Sequence, residues 1–396
     1  MRCLPFLTLP LLLLASACTV GPDYRGPGPL TVVKPDARFV RAAAAGATAD
    51  PAGPGLAAWW TAMGDPILDE IERRALAASP DLAVARARLR QARAGVRLER
   101  ANQLPNANAS AIYLHGDLPP TNLGVGSGQA EASSGDAEAG GRSSLDFYNV
   151  GFDASWEVDL FGGKRRAVQA ARAAADAAEA DVADAQVSLA AEIAKAYVLL
   201  RDRQNRVEAA RRSGAIRRDI LTTLRRRVAA GTATPLDADR LDQRSIQADA
   251  GLAPLEAERD AYADEIAVLA GGAPGSMAEL LAAPAPIPMR PAAVAIGDPA
   301  ELLRRRPDVR AAERRLASQT AKIGVAEAGR FPRISFMGLI GFGGSQPGDV
   351  VDPSDLSLLT FPRLSWNFLD FGRNLARVHQ AEGVRDEAQA RFDRPC

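Results

Sequence analysis

The chain has 396 residues with 48 basic and 48 acidic side chains and a formal net charge of zero, so nothing in its balance argues for nucleic acid or an acidic substrate. Three cysteines (Cys3, Cys18, Cys396) and two histidines (His115, His379) supply neither a disulfide framework nor a metal pattern nor a Ser–His–Asp constellation, and no catalytic residue, metal or cofactor is expected. Beyond Leu4–Ala17 there is no apolar run long enough for a spanning helix, so any crossing of a bilayer must use strands.

The amino terminus has Arg2, an apolar stretch through Leu14, and small residues at Ala15-Ser16-Ala17 before Cys18. This is the layout of a signal peptide over residues 1–17. Leu14-Ala15-Ser16-Ala17-Cys18 resembles a bacterial lipoprotein box, with Leu14 one place earlier than the usual leucine. That resemblance implies cleavage before Cys18, lipid attachment at its sulfur, stable anchoring and, with Thr19 rather than aspartate next, passage to the outer membrane. Residues 18–58, rich in Pro, Gly and Ala, read as a lipidated extended strap.

A helix is expected over 81–104, then strands at about 106–114 and 147–158. In the second strand Tyr148, Val150, Phe152, Ala154, Trp156 and Val158 alternate with Phe147, Asn149, Gly151, Asp153 and Ser155, which is period two, apolar against mostly polar. The segment between, His115 to Ser144, has the Gly, Ser and Ala content of a solvated loop. Asp153 and Glu157 could tempt an acid–base reading; they read instead as a lumen-facing residue and an interfacial one.

Residues 164–230 hold no proline and one glycine, Gly214. Leu189, Ile193, Ala196 and Leu200 form a helical seam, and one helix of this length spans ~100 Å. After the turn Ala230-Gly231-Thr232-Ala233-Thr234-Pro235 a second helix is expected over 235–270, with a heptad seam through Leu241, Ala248, Leu252, Leu255, Tyr262, Ile266 and Leu269 and a kink at Pro254. Arg201–Arg227 holds ten arginines and three acids, while Asp237–Glu265 holds nine acids and three arginines. Folding at the turn sets opposite charges side by side and so specifies an antiparallel register more than it stabilises. Gly231 and Pro235 also suit a plain helix stop and helix start.

The chain reads as internally duplicated. Pro80-Asp81-Leu82 through Gln103-Leu104-Pro105 matches Pro307-Asp308-Val309 through Arg330-Phe331-Pro332 at an offset of 227. Trp156 through Gly162 matches Trp366 through Gly372 at an offset of 210, the second loop being shorter. The first repeat occupies 59–270, a linker 271–300, and the second repeat 301–396 with strands at about 333–342 and 356–368. The strand lengths suit a transmembrane barrel, and the aromatic strand ends Trp156, Phe161, Trp366 and Phe371 suit a membrane interface. Four strands are too few to close a barrel, whose minimum is ~8, whereas three copies give twelve.

These residues resemble the outer membrane factor family, the TolC-like exit ducts of tripartite efflux systems, and its lipoprotein branch most. The stretches that carry the resemblance are Cys18-Thr19-Val20-Gly21-Pro22-Asp23-Tyr24, Trp59-Trp60 with Asp65-Pro66 and Leu68, Trp156 to Gly162, Leu303 to Glu313, Ile323-Gly324-Val325-Ala326 and Phe331-Pro332. The resemblance implies an α+β membrane protein: a homotrimer whose four antiparallel strands per chain build a 12-stranded barrel in the outer membrane. Long coiled-coil helices would form an α-barrel through the periplasm. It further implies a tip turn, with Arg227, Gly231, Thr232, Pro235 and Asp237, that docks a periplasmic adaptor protein, and an inner membrane transporter that supplies the energy. Against the family pattern the second repeat is short: Cys396 corresponds to Gln186 at the offset of 210, so roughly 85 residues of the first repeat, to about Gly271, have no counterpart, and the reading is of a C-terminally truncated duct. The rival readings are a coiled-coil lipoprotein of the outer membrane with no pore, and a truncated duct that no longer works.

Overall fold

The computed structural model describes residues 19–26, 47–48, 56–118, 143–289, 294–295 and 299–394. They fall into two compact units. One is built on Ala94–Ala173 and Leu316–Ala390 with the described residues before Gly26; the other is built on Gly26–Arg93 and Ala174–Arg315.

The first unit holds a four-stranded sheet of β1 (Asn106–Leu118), β2 (Ser143–Val158), β3 (Arg333–Gly344) and β4 (Leu356–Ser365). The spatial order follows the chain and every neighbour is antiparallel, so β1 and β4 are free edges that run in opposite directions. Asn106 pairs with Ser155 in the first hairpin and Arg333 with Ser365 in the second, and Trp156 pairs with Phe336 at the β2–β3 seam. Glycine sets the spacing of that seam. Gly151 and Gly341 face each other, and a Cβ on Gly151 would lie 2.3 Å from the Ile340 carbonyl oxygen and one on Gly341 2.7 Å from that of Val150. The first hairpin is longer than its alternation foretold: β1 continues past Leu114 through His115–Leu118, and β2 begins at Ser143. β4 ends at Ser365, three residues short of the expected 368.

In the second unit, Asp65 starts α1 (Pro66–Ala78): its carboxylate accepts from the Ile67 and Leu68 amides at 2.9 and 3.2 Å, and Pro66 needs no amide partner at the first position. Next come α2 (Pro80–Ala101), α3 (Gly163–Ala229), α4 (Pro235–Ala250) and α5 (Leu252–Leu269), the first two of which pass through both units. Further on lie α6 (Ala278–Leu281), α7 (Pro299–Arg305), α8 (Pro307–Ala328) and α9 (Arg373–Phe392). The α3 seam of Leu189, Ile193, Ala196 and Leu200 is buried against Leu68, Ile71 and Ala75 of α1 and Ile266 of α5. Asp65 also accepts a 2.7 Å hydrogen bond from the Tyr197 hydroxyl, and the fully buried Arg201 donates to that hydroxyl, to Gln204 and to the Ala283 carbonyl at 2.7–2.8 Å. Residues 65 and 283 are thereby tied to the same turns of α3.

The antiparallel charge pairing is present. Arg211, Arg218 and Arg225 of α3 pair with Glu256, Asp249 and Asp242, seven residues apart on both sides, at 2.5, 3.6 and 2.9 Å. The single helix expected over 235–270 is two helices. The break falls at Gly251 and not at Pro254, because a proline tolerated in a first turn of α5 cannot donate to Ala250, so the preceding helix ends there. The ion-pair spacing is the same on both sides of the break. A two-residue parallel bridge joins Ala47–Thr48 to Val294–Ala295.

Candidate functional site

The sheet has one apolar face. Tyr113 on β1, then Val150, Phe152 and Trp156 on β2, Ile334, Phe336, Ile340 and Phe342 on β3, and Leu356, Leu358 and Leu364 on β4 share it by register. Phe152, Leu358 and Leu364 are more than 60 % exposed, an apolar surface with no cover among the described residues. The other face is mixed: Asn106, Asn108, Asp153, Ser155, Ser335 and Arg363 share it with Ile112, Leu114, Met337, Leu339, Leu359 and Phe361, and Asn108 donates to Asp153 at 3.2 Å. Asp153 and Glu157 share this second face, as residues four apart on a strand must.

Aromatic rings border the apolar face at both ends. At one, Tyr113 stacks on Tyr148 at 4.8 Å, and the Tyr113 hydroxyl and His115 both meet Asp146, at 3.0 and 2.8 Å. At the other, Trp156 stacks on Phe336 at 6.2 Å and Phe161 on Phe331 at 4.6 Å. Tyr148 and Trp156 are eight residues apart, ~26 Å along an extended strand, or roughly 20 Å of height at a barrel tilt of ~35–45°, close to the ~25 Å apolar band of outer-membrane strands.

Of the four aromatic residues singled out in the sequence, Trp156 and Trp366 occupy matching places. Each donates its indole N–H, at 3.0 Å, to a carbonyl just before the partner strand, that of Gln103 and that of Arg330. Phe161 and Phe371 differ: Phe161 is half-buried on Phe331, whereas Phe371 is 85 % exposed and holds a left-handed backbone at φ 53°. Asp370 caps the start of α9, accepting from the Asn374 and Gly372 amides at 2.8 and 3.0 Å, and these bonds hold its carboxyl below the usual range.

Cys18, the expected lipid site, lies outside the described residues. The residues after it are seated in a way the sequence did not reveal. The Val20 amide donates to the Phe161 carbonyl at 3.0 Å. Arg166, 4 % exposed, donates to the Val20 and Gly21 carbonyls at 3.0 and 2.9 Å and pairs with Asp23 at 2.7 Å. Gly21 and Gly162 hold φ of +88° and +80°, and a Cβ on either would overlap Gly324 or Thr19. Those three glycines were the only written signal of the seat; Arg166 is one arginine among many.

At the far end of α3 the five tip residues come together in two capping motifs. The Thr232 amide donates to the Arg227 carbonyl at 2.9 Å and the Gly231 amide to that of Val228 at 3.0 Å, with Gly231 at φ +74°, which is a Schellman end. Thr234 then caps α4, its hydroxyl accepting from the Asp237 amide at 3.3 Å and donating to the Asp237 carboxylate at 2.6 Å, with Pro235 at the first helical position. The turn is exposed and open: no atom lies within 4 Å of where a Gly231 Cβ would stand.

The chain has relatives among known proteins. It is 32 % identical over 375 residues to nodulation protein T of Rhizobium leguminosarum bv. trifolii, covering 93 % of this chain and 74 % of that protein. It is 30 % identical to the outer membrane protein OprJ of Pseudomonas aeruginosa over 95 % of this chain and 74 % of OprJ. The structure of the outer-membrane channel OprN superposes with a TM-score of 0.82 at 34 % identity, over 95 % of this chain and 79 % of that one. The profile of the outer membrane efflux proteins matches residues 72–272 and 299–394, and with three quarters of its length inside that match the chain belongs to the outer membrane efflux protein family, as an outer membrane efflux channel component.

Proposed function

We propose that this chain is the exit duct of a tripartite efflux system, working as a homotrimer that offers a passage and does no chemistry. The observation that carries this reading is the sheet: one apolar face of membrane height, a second face that sets Asn108, Asp153 and Ser155 among apolar residues, and two free edges of opposite direction. Copies of such a sheet can join edge to edge with every strand antiparallel, the apolar face to lipid and the face of Asn108 and Asp153 to an aqueous lumen, and closure removes both edges. Three copies give twelve strands. The equal pairing of Asn106–Ser155 and Arg333–Ser365 under the two sequence offsets supports an internal duplication. The α3–α4 tip is exposed, rigidly capped and remote in sequence from the strands, which suits docking of a periplasmic adaptor that links the duct to an inner membrane transporter. Lipid at Cys18 would fix the amino terminus to the inner leaflet of the outer membrane.

The test is the native mass of the protein extracted from outer membranes in mild detergent, beside export measured in cells that lack their own duct. A trimer with restored export is the expected result. A helical monomer with no outer membrane pool would overturn the proposal in favour of a coiled-coil lipoprotein without a pore.

A further inference from the structure

The two hairpins of the sheet repeat each other in register. An offset of 227 carries β1 onto β3, and 210 carries β2 onto β4. The pair Asn106–Ser155 then lands on Arg333–Ser365, which is the pair found. The hydrogen bond from Trp156 to Gln103 lands on that from Trp366 to Arg330, both 3.0 Å. Gly162 at φ +80° lands on Gly372 at φ +83°.

The same offsets can be applied to the β2–β3 seam. Trp156–Phe336 and Val158–Ile334 are carried to Trp366–Ala109 and Phe368–Ala107. In one chain those partners lie on opposite edges of the sheet, so only a second copy can satisfy them. We propose that β4 of one protomer pairs antiparallel with β1 of the next in this register, bringing Ser365 opposite Ser110, Leu364 opposite Ala111 and Pro362 opposite Tyr113 of the neighbouring copy. The inference rests on the trimeric reading and gives it residues.

Three observations point the same way. The register sets Leu364 and Pro362, on the apolar face of β4, opposite Ala111 and Tyr113, on the apolar face of β1; a slip of one residue would turn one face inward. Trp366 and Phe368 continue the line of β4 past its last rung on β3, at Ser365, and are 55 % and 76 % exposed. Their counterparts Trp156 and Val158 are paired, and the next copy's Ala109 and Ala107 would pair them. Finally, Phe161 stacks on Phe331 at 4.6 Å, and the images of those residues are Phe371 and Leu104, which are 85 % and 66 % exposed. In this register each Phe371 meets Leu104 of the next copy.

The experiment is disulfide trapping in isolated outer membranes, with C396S as the background and Cys18 retained. S365C/S110C is compared with S365C/N108C and S365C/I112C, which report slips of two residues either way. Directly opposed Cβ atoms are ~5 Å apart and diagonal ones ~7–8 Å, so the first pair is expected to give linked dimers and trimers at least ~5-fold above either other pair. Better linkage in a slipped pair overturns the register. A native trimer in which no pair links overturns it too, while leaving the duct reading intact. A monomer by native mass overturns both.

Discussion

Glu72 places a pH-dependent strain in the second unit. It is fully buried on α1, and neither carboxylate oxygen has a hydrogen-bond partner among the described residues. Burial first, and the nearby Asp69 second, push its pKa from 4.5 up to about 8. Between those values the folded chain keeps a proton that the unfolded chain has lost. Stability therefore falls as pH rises through this window, by ~1.4 kcal/mol per pH unit, and at pH 7 the deficit is on the order of 3 kcal/mol. Below pH 4.5 both states are protonated and the deficit vanishes. E72Q keeps the shape and removes the titration. Thermal unfolding of wild type and E72Q in mild detergent should nearly coincide at pH 5, separate by several degrees at pH 7 and separate further at pH 8, with the variant the more stable. The difference between the two chains cancels the other carboxylates. An E72Q shift of equal size at all three pH values would refute the reasoning, since it would mean that Glu72 does not change protonation on folding.

Two further perturbations address the sites. R166A leaves the Val20 and Gly21 carbonyls without their buried donor, a loss of ~2–4 kcal/mol; exchange of the Val20 amide, bonded to the Phe161 carbonyl, should rise by ~10-fold or more while β2 and β3 are unchanged, and equal loss of protection in the strands would make Arg166 a general support of the fold. G231V forces a β-branched residue to φ +74° at a cost of ~1–2 kcal/mol in an open turn, so trimers should persist; export should fall if the tip docks the adaptor, and unaltered export with normal amounts of protein would remove the tip from that role.

The sheet could be read from the sequence where apolar and mostly polar side chains alternate, as from Tyr148 to Val158. It could not be read from His115 to Leu118, where His, Gly and Asp break the alternation and the rungs to Asp146, Leu145, Ser144 and Ser143 depend on the partner strand. The α3–α4 turn was legible because Gly231, Thr234 and Pro235 are local signals with local causes. The break at Gly251 was masked by the heptad seam that runs across it, and the proline that forces it stands three residues downstream. The tie from Tyr197 to Asp65 spans 132 residues, and the seat of Arg166 on Val20 spans 146; nothing in a local pattern encodes a partner at that range. Glu72 reads as an ordinary surface residue of an amphipathic helix until the neighbours that bury it are known.

The two strand-to-helix junctions show how one repeated segment can serve two ends. Trp156 to Gly162 and Trp366 to Gly372 share their tryptophan, their Phe-Gly end and the positive φ of the glycine. What differs is the cover. At the first junction Phe331 of the same chain stacks on Phe161, and Val20 crosses over it to reach its carbonyl. At the second, Phe371 stands exposed and strained. A non-glycine residue at positive φ persists only where surrounding contacts hold it, at a cost of ~1–3 kcal/mol; the Asp370 carboxylate, bonded to the Gly372 and Asn374 amides, holds this backbone, and the exposed ring is left for a further contact. In the register proposed here that contact is Leu104 of the next protomer, so the first junction carries the amino-terminal anchor and the second carries the closure of the ring. It follows that F371A should weaken the trimer without loosening residues 20–23, and R166A should do the reverse; a variant at either position that disturbed both would show that the junctions are not separate.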